Sequence, residues 1–258
     1  MKVISLQSGS NGNCIYVEAD GLRLLFDAGI SGKQAQLRLA EHNIDINTID
    51  AIIISHEHID HVKCAGIYHR KFNLPIYITP KTWTAAYKQH NLGAIGTVNH
   101  FAPNSTFYLP DRPDVAITAI PTHHDCIDGS CFVIEHNQKR LGLCTDLGHA
   151  FPELNTLIPT LDALIIESNF DPDMLHHSAY PIHTQRRIAG PHGHLSNHEA
   201  ASSLQTHADH ANLQWVLLAH LSENNNTPDL AADTHIEHHQ LTTHIASRFH
   251  ASQAFHIE

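Results

Sequence analysis

The sequence predicts an α/β fold built in four layers, αββα. Short apolar runs of strand length recur through its 258 residues, separated by polar, Gly-containing breaks. These runs come mostly in pairs near the start and middle, with helical patterns between them, which fits neither a strict βαβ repeat nor an all-β chain. The length suffices for a substantial core, and residues 1–258 are read as one domain.

In chain order the predicted strands are KVISL (2–6), CIYVEA (14–19), LRLLFDAG (22–29), DAIIIS (50–55) and LPIYIT (74–79), followed by DVAITAI (114–120), SCFVIEH (130–136), KRLGLCT (139–145), DALIIES (162–168) and LQWVLLAH (213–220). Helical spacing marks 33–42, 62–71, 81–90 and 197–208, and a less regular stretch from Pro228 to about Ser247. Ser196 and Glu199 have the spacing of a capping box at the start of the fourth helix, and Pro228 suits the first turn of the fifth. LSENNNTPDL is the strongest loop signal in the second half.

Composition narrows the function. Fifteen Lys and Arg against 26 Asp and Glu give a net charge of −11, which speaks against a surface coated in cations for nucleic acid. Any phosphate-binding surface must be local. Five cysteines without a C-x-x-C pair suit reduced, buried thiols. Val3–Leu6 is too short for a signal-peptide core and no later run approaches membrane-spanning length, so the expectation is a cytoplasmic protein with no membrane association. No protein partner is indicated.

Histidine is the outlier at 26 residues, so spacing rather than presence carries information. The His235, His238, His239, His244, His250 and His256 tract at the end reads as a solvated helix face of a His-rich chain. The run AIIISHEHIDH is different. In extended backbone His56 and His58 project to one side and can converge on one ion, while Asp60 and His61 follow the turn and serve a second ion more naturally. Chance would place three His and one Asp at these spacings roughly 0.016 times in such a chain. Two ions need further ligands, and later apolar runs end in His123, His124 and Asp125, in Asp146, and in His220.

This series resembles the metallo-β-lactamase superfamily, whose four-layer αββα sandwich agrees with the fold read above. SLQSGSNGNCIYVE, LLFDAGIS, SHEHIDHVKCAG, TDLG, IIESNFDPDML, YPIHTQRRIAGPHGHLSN and LLAHLSENNNTPDLA resemble more narrowly its YycJ/WalJ subfamily of 5′-to-3′ DNA exonucleases. The resemblance implies one metal on His56, His58 and His124, a second on Asp60, His61 and His220, and Asp146 bridging both. His124 is chosen over His123 because HHDC resembles the family's S-H-D-A. Two departures stand out: Phe170 in ESNFD occupies a position where His is expected, and His149 stands where Tyr is expected. Asn169 in the same segment is assigned to substrate contact on the resemblance.

Two divalent ions, Zn²⁺ or Mn²⁺, would lower the pKa of a water between them and neutralise charge on an attacked phosphate. Five imidazoles lean toward zinc and two carboxylates admit manganese. Asp60 would orient the hydroxide. His194, two residues ahead of the Ser196 cap, would contact the scissile phosphate or protonate the leaving oxygen, and the helix start would bind phosphate. Arg186 and Arg187 are the best local cations for a DNA backbone. The Gly-rich SGSNGNC loop offers Ser8, Ser10, Asn11 and Asn13 as hydrogen-bond donors.

The expected substrate is therefore duplex DNA with a 5′ end. The alternatives are a small phosphodiester such as a phosphoribosyl cyclic phosphate, and a lactone or β-lactam attacked by the same hydroxide. Di-iron oxygen reduction would favour a carboxylate where this chain has His58.

Overall fold

The computed structural model describes residues 1–208, 213–239 and 241–258. Its strands are β1 (Lys2–Gln7), β2 (Cys14–Ala19), β3 (Leu22–Phe26), β4 (Ala51–Ile53), β5 (Ile76–Ile78), β6 (Val98–His100) and β7 (Ser105–Leu109), then β8 (Arg112–Pro121), β9 (Ser130–His136), β10 (Lys139–Cys144), β11 (Ala163–Glu167), β12 (Trp215–Ala219), β13 (Thr243–Ile245) and β14 (Phe255–His256). Its helices are α1 (Gly32–Ala40), α2 (Ile59–Val62), α3 (Ala65–Phe72), α4 (Pro80–Gln89), α5 (Pro152–Leu157), α6 (Pro172–His176), α7 (Ile182–Ile188), α8 (Asn197–His207) and α9 (Pro228–His238).

Among the described residues the strands form two seven-stranded sheets, ordered β14-β1-β2-β3-β4-β5-β6 and β13-β12-β11-β10-β9-β8-β7. Each sheet mixes antiparallel hairpins with a parallel block, β3 to β6 in the first and β10 to β13 in the second. Strands covered on both faces read as near-continuous apolar runs, as β4, β11 and β12 do. Ala51 and Ile53 of β4, Ile165 of β11 and Leu217 of β12 meet between the sheets. Their alternates turn outward: Ile52 packs with Leu39 and Tyr68 of the first helical layer, and Ile166 and Leu218 pack with Leu154, Leu204 and Ala231 of the second. Period-two alternation in β and an apolar stripe on each helix thus yield the αββα layers.

The expected helix 62–71 is broken. The backbone of Asp60, His61 and Cys64 bonds sideways instead of continuing upward: Asn13 N–H donates to Asp60 O at 2.8 Å, Ala28 N–H to His61 O at 2.7 Å, and Cys64 N–H to Ala28 O at 2.9 Å. The stretch from Pro228 also stops early, at His238, because Thr243–Ile245 forms a strand along the free edge of β12. The strands β6, β7, β13 and β14 escape the sequence reading, being short or polar on one face. All five cysteines are free, four of them buried, and no helix among the described residues is long and apolar enough to cross a membrane.

Two of the terminal histidines depart from the solvated face read from composition, whereas His250 and His256 are exposed. His235 and His239 are buried, with His235 Nδ1 2.9 Å from His239 Nε2. Asn226, Asn197 and Ser168 continue this polar interior: Asn226 Nδ2 donates to Asn197 Oδ1 at 2.9 Å and Ser168 Oγ donates to the same oxygen at 2.6 Å.

Burial, reinforced by His239 and His238, pushes the His235 imidazole down to about 3 from its ordinary 6.5. As pH falls below 6.5 the unfolded chain takes the proton first, so this stabilisation is full above about pH 6.5 and is lost toward pH 3. Between pH 7 and pH 5, His235→Gln is expected to lose on the order of 2 kcal/mol less unfolding free energy than the parent. Urea titrations in EDTA measure this, and equal losses in the two proteins would contradict it.

Candidate metal centre

The ligand candidates stand where apolar strands run out. His56 follows β4, His58 caps α2, and Asp60 and His61 lie in its single turn. His124, Asp146 and His220 follow β8, β10 and β12. The folding of two sheets brings these strand ends together. Among the described residues four groups of donor atoms each lie within 4.8 Å of one another: His56, His58 and His124; Asp60, His61 and His220; His56, His61 and Asp146; and Asp146, Glu167, His194 and His220.

Asp146 sits between the first two groups. Its Oδ1 is 3.7 Å from His124 Nε2 and 3.6 Å from His220 Nδ1, and its Oδ2 is 3.3 Å from His61 Nε2. Asp60 Oδ2 lies 3.5 Å from His61 Nε2 and 3.4 Å from His220 Nε2. His58 Nδ1 is 3.3 Å from His124 Nε2. His123, by contrast, is exposed and packs against His149 and Phe151.

The hydrogen bonds around the ring fix which nitrogens face inward. His61 Nδ1 donates to Asp27 Oδ2 at 2.7 Å, His124 Nδ1 to Gly193 O at 2.6 Å, and His56 Nδ1 meets Ser55 Oγ at 2.9 Å. Ser55 Oγ in turn donates to Asp27. Imidazoles anchored at Nδ1 present Nε2 as a lone-pair donor, the arrangement that metal-binding histidines adopt. His56 Nε2 and Asp146 Oδ2 are buried and have no hydrogen-bond partner. Polar atoms are rarely left so, and a cation among these donors would satisfy both. Asp27, Asp146 and His220 hold left-handed backbone at φ 65°, 55° and 55°. Such conformations cost about 1 kcal/mol or more each and persist only where surrounding contacts impose them.

Charge divides the centre in two. Burial would raise the Asp60 carboxyl, but His61 and His220 outweigh it and hold it well below the usual carboxylate range. For His61 burial opposes the charge, yet Asp146, Asp27 and Asp60 lift it well above its ordinary value. His220 is likewise lifted against burial, to about 10, by Asp146, Asp60 and Glu167. On the other side burial pushes His56 and His124 down, with neighbouring imidazoles adding to the effect at His56 and His194 at His124. The His56–His124 side is thus neutral and ready to donate lone pairs, whereas the Asp60–His220 side carries protons that a cation must displace.

A cavity of about 540 Å³ opens over these donors, walled by Ser10, His90, Tyr180, Arg187, His194 and Ser222 among others. His194 Nδ1 donates to Glu167 Oε1 at 2.6 Å. Glu167 is fully enclosed at the end of β11, and its Oε2 accepts from Leu147 N–H at 3.0 Å and Leu195 N–H at 3.2 Å. Burial opposes its charge, but His194 and His220 hold its carboxyl below the usual range. Sequence reasoning missed both Glu167 and Asp27. Each is an acid directly after an apolar run, the same signal that marked Asp146.

The expected substrate contacts separate. Ser10 and Arg187 line the cavity, with Arg187 Nε donating to Asp125 Oδ2 at 2.6 Å. Asn169 lines it as well, but its Nδ2 donates to His220 O at 2.7 Å and so braces that residue. Asn13 Nδ2, 3.3 Å from Asp60 Oδ2 and 3.0 Å from His61 Nε2, also braces ligand candidates.

The remaining expectations need correction. Ser8 is buried and accepts from His220 N–H at 2.9 Å, and Asn11 Nδ2 donates to Arg248 O away from the cavity wall. Arg186 lines a separate recess beside Phe170 and Leu175, on another face of α7 from Arg187. Ser196 is buried within its capping box, and the Asn197 and Glu199 N–H groups donate to Phe170 O and Ser196 Oγ. Two amides of that helix start are thus in use, and Ser196 does not line the cavity. Phe170, in place of the expected imidazole, packs with Leu175, Ile188 and Tyr180 and so supports the cavity wall from behind. His149 Nδ1 donates to Pro191 O at 2.8 Å.

The profile described as Metallo-beta-lactamase superfamily matches residues 8–187. The chain is 34% identical over 226 residues to the Exodeoxyribonuclease YycJ of Bacillus anthracis, covering 88% of this chain and 84% of that protein. It is 32% identical over 230 residues to the Exodeoxyribonuclease WalJ of Streptococcus pneumoniae serotype 2 (strain D39), covering 88% and 83%. The crystal structure of the metallo-beta-lactamase fold protein YhfI from Bacillus subtilis superimposes with a TM-score of 0.71 at 18% identity, over 97% of this chain and 98% of that one. The chain belongs to the metallo-beta-lactamase superfamily and, within it, to the YycJ/WalJ-like subfamily.

Two outcomes are expected. Because His220 and His61 carry protons at neutral pH, binding of Zn²⁺ should release protons and tighten as pH rises from 6 toward 10. Calorimetry in buffers of different ionisation enthalpy reads this directly, and pH-independent binding without proton release would overturn it. Asp27→Asn should weaken metal binding by about 10- to 100-fold through loss of His61 orientation, measured as metal content after dialysis.

Proposed function

We propose that this chain is a dinuclear, divalent-metal-dependent phosphodiester hydrolase that removes nucleotides from the 5′ end of DNA. The observation that carries the reading is a pair of donor clusters joined by Asp146, of which His58, Asp60, His124, Asp146 and His220 line one cavity together with His194, itself held by Glu167. His56, His58 and His124 would hold one ion, Asp60, His61 and His220 the other, and Asp146 would reach both. Bound there, Zn²⁺ or Mn²⁺ supplies the Lewis acidity that acidifies a water and neutralises charge at phosphorus. The rest falls to the protein. Glu167 fixes the His194 ring through Nδ1, so Nε2 is the atom that can give a proton to the leaving oxygen. Arg187, held by Asp125, offers a guanidinium to a non-bridging phosphate oxygen. The relatives bearing exodeoxyribonuclease names support DNA as the substrate.

A small phosphodiester is the second reading. Its support is that Arg187 is the one Lys or Arg among the described residues lining the cavity of a chain with net charge −11. Labelled duplex DNA, a cyclic ribose phosphate and a lactone, each assayed with Mn²⁺ and Zn²⁺, decide the matter. Mononucleotides released from 5′ ends alone support the exonuclease, and activity confined to the small phosphate ester displaces it.

His194→Ala is expected to lower kcat on DNA by about 10²- to 10⁴-fold with metal content unchanged. The loss should be much smaller on bis(p-nitrophenyl) phosphate, whose leaving group needs no proton. Loss of metal in His194→Ala would instead make it a ligand. Glu167→Gln should reproduce the kcat defect in weaker form.

A further inference from the structure

The cavity continues past the ligand candidates. Ser222, two residues beyond His220, lines both the cavity and a second, largely apolar groove of about 390 Å³ walled by Leu221, Pro228, Ile245, Ala246 and Phe249. Phe249 leaves 59% of its surface exposed. The Arg248 guanidinium lies 6.0 Å from its ring centroid.

This exposure is held in place. Phe249 O accepts from the buried Arg38 Nη2 at 2.6 Å, and Phe249 N–H donates to Ser247 Oγ at 3.1 Å. Ser8 N–H donates to Ser247 O at 3.0 Å, tying the segment to the loop that braces His220. Arg248 Nη1 donates to Leu221 O and Nη2 to Glu223, both at 2.9 Å. Asn11 Nδ2 donates to Arg248 O at 2.9 Å, a further tie on the segment. An exposed phenyl ring on a held backbone, with one guanidinium and an apolar groove beside it, is the equipment of a base-stacking surface.

The form of the substrate follows from burial. His61, His124, Asp146 and His220 are each 5% exposed or less, so a phosphate must descend to them. A single strand can do this, whereas a stacked duplex must first unpair. We infer that the substrate strand crosses the cavity unpaired and that the base next to the scissile phosphate stacks on Phe249 in this groove. This rests on the nuclease reading above and adds to it a base site with a stated ligand, a nucleobase of single-stranded DNA.

The test separates binding from turnover in the full chain. Anisotropy of a labelled, 5′-phosphorylated oligothymidine is measured in EDTA for the parent, Phe249→Ala and Phe249→Trp. Steady-state rates with Mn²⁺ are taken on the same oligonucleotide and on methyl p-nitrophenyl phosphate, whose retained methyl group cannot stack. Phe249→Ala should weaken oligonucleotide binding and raise its KM roughly tenfold, Phe249→Trp should restore both, and the small ester should be cleaved equally by all three. An oligonucleotide abasic at its first two 5′ positions should lose the same factor with the parent and no more with Phe249→Ala.

Equal oligonucleotide affinity in parent and Phe249→Ala, or parallel losses on both substrates, would overturn the inference. So would a dimer in sedimentation that Phe249→Ala dissociates, since a second copy would then be what covers the ring. If the binding pattern holds in EDTA while the parent cleaves no DNA, the groove stands and the exonuclease reading fails.

Discussion

The structure turns on one buried carboxylate. Asp146, 3% exposed, has four imidazoles within 3.7 Å, those of His61, His124, His194 and His220. A carboxylate in the interior carries a desolvation penalty of several kcal/mol unless positive charge or hydrogen-bond donors surround it. The chain supplies that surrounding from the ends of several strands in two different sheets, so the charge can be buried only when both sheets are formed and stacked. Its backbone is left-handed, at φ 55°, and its buried Oδ2 has no hydrogen-bond partner, a lack that a cation would make good.

From that constraint the surrounding shell follows. Each histidine must be held by its outer nitrogen, which accounts for Asp27 behind His61, Gly193 O behind His124 and Ser55 beside His56. The helix break between α2 and α3 has the same origin, because the backbone of Asp60 and His61 is bonded to the 13 and 28 positions rather than to a following turn. Phe170 and its apolar neighbours then set the α7 segment, with Tyr180 and Arg187, over the cavity.

The acidity of the chain fits this design. With net charge −11 the protein has little long-range attraction for a polyanion, so affinity must come from short-range contacts near the reacting phosphate. On the reading proposed above, Arg187 in the cavity and Phe249 at the adjoining groove would be contacts of that kind, one electrostatic and one a matter of stacking.

Local order was legible in the sequence because it is written in near-neighbour chemistry. The continuous apolar runs of β4, β11 and β12 announce strands covered on both faces, and H-x-H-x-D-H announces metal chemistry, since residues so closely spaced converge whatever the rest of the chain does. Strand-end residues His124, Asp146 and His220 were recoverable by analogy of position. Asp27 and Glu167 end apolar runs in the same way, but their roles exist only against a histidine 34 and 27 residues away, so position alone did not assign them. Nor could the sequence show that Ser196 and Arg186 face away from the cavity, that His235 and His239 are buried, or that Phe249 flanks the site. Those outcomes depend on which faces two stacked sheets bring together, a long-range packing decision that no local spacing encodes.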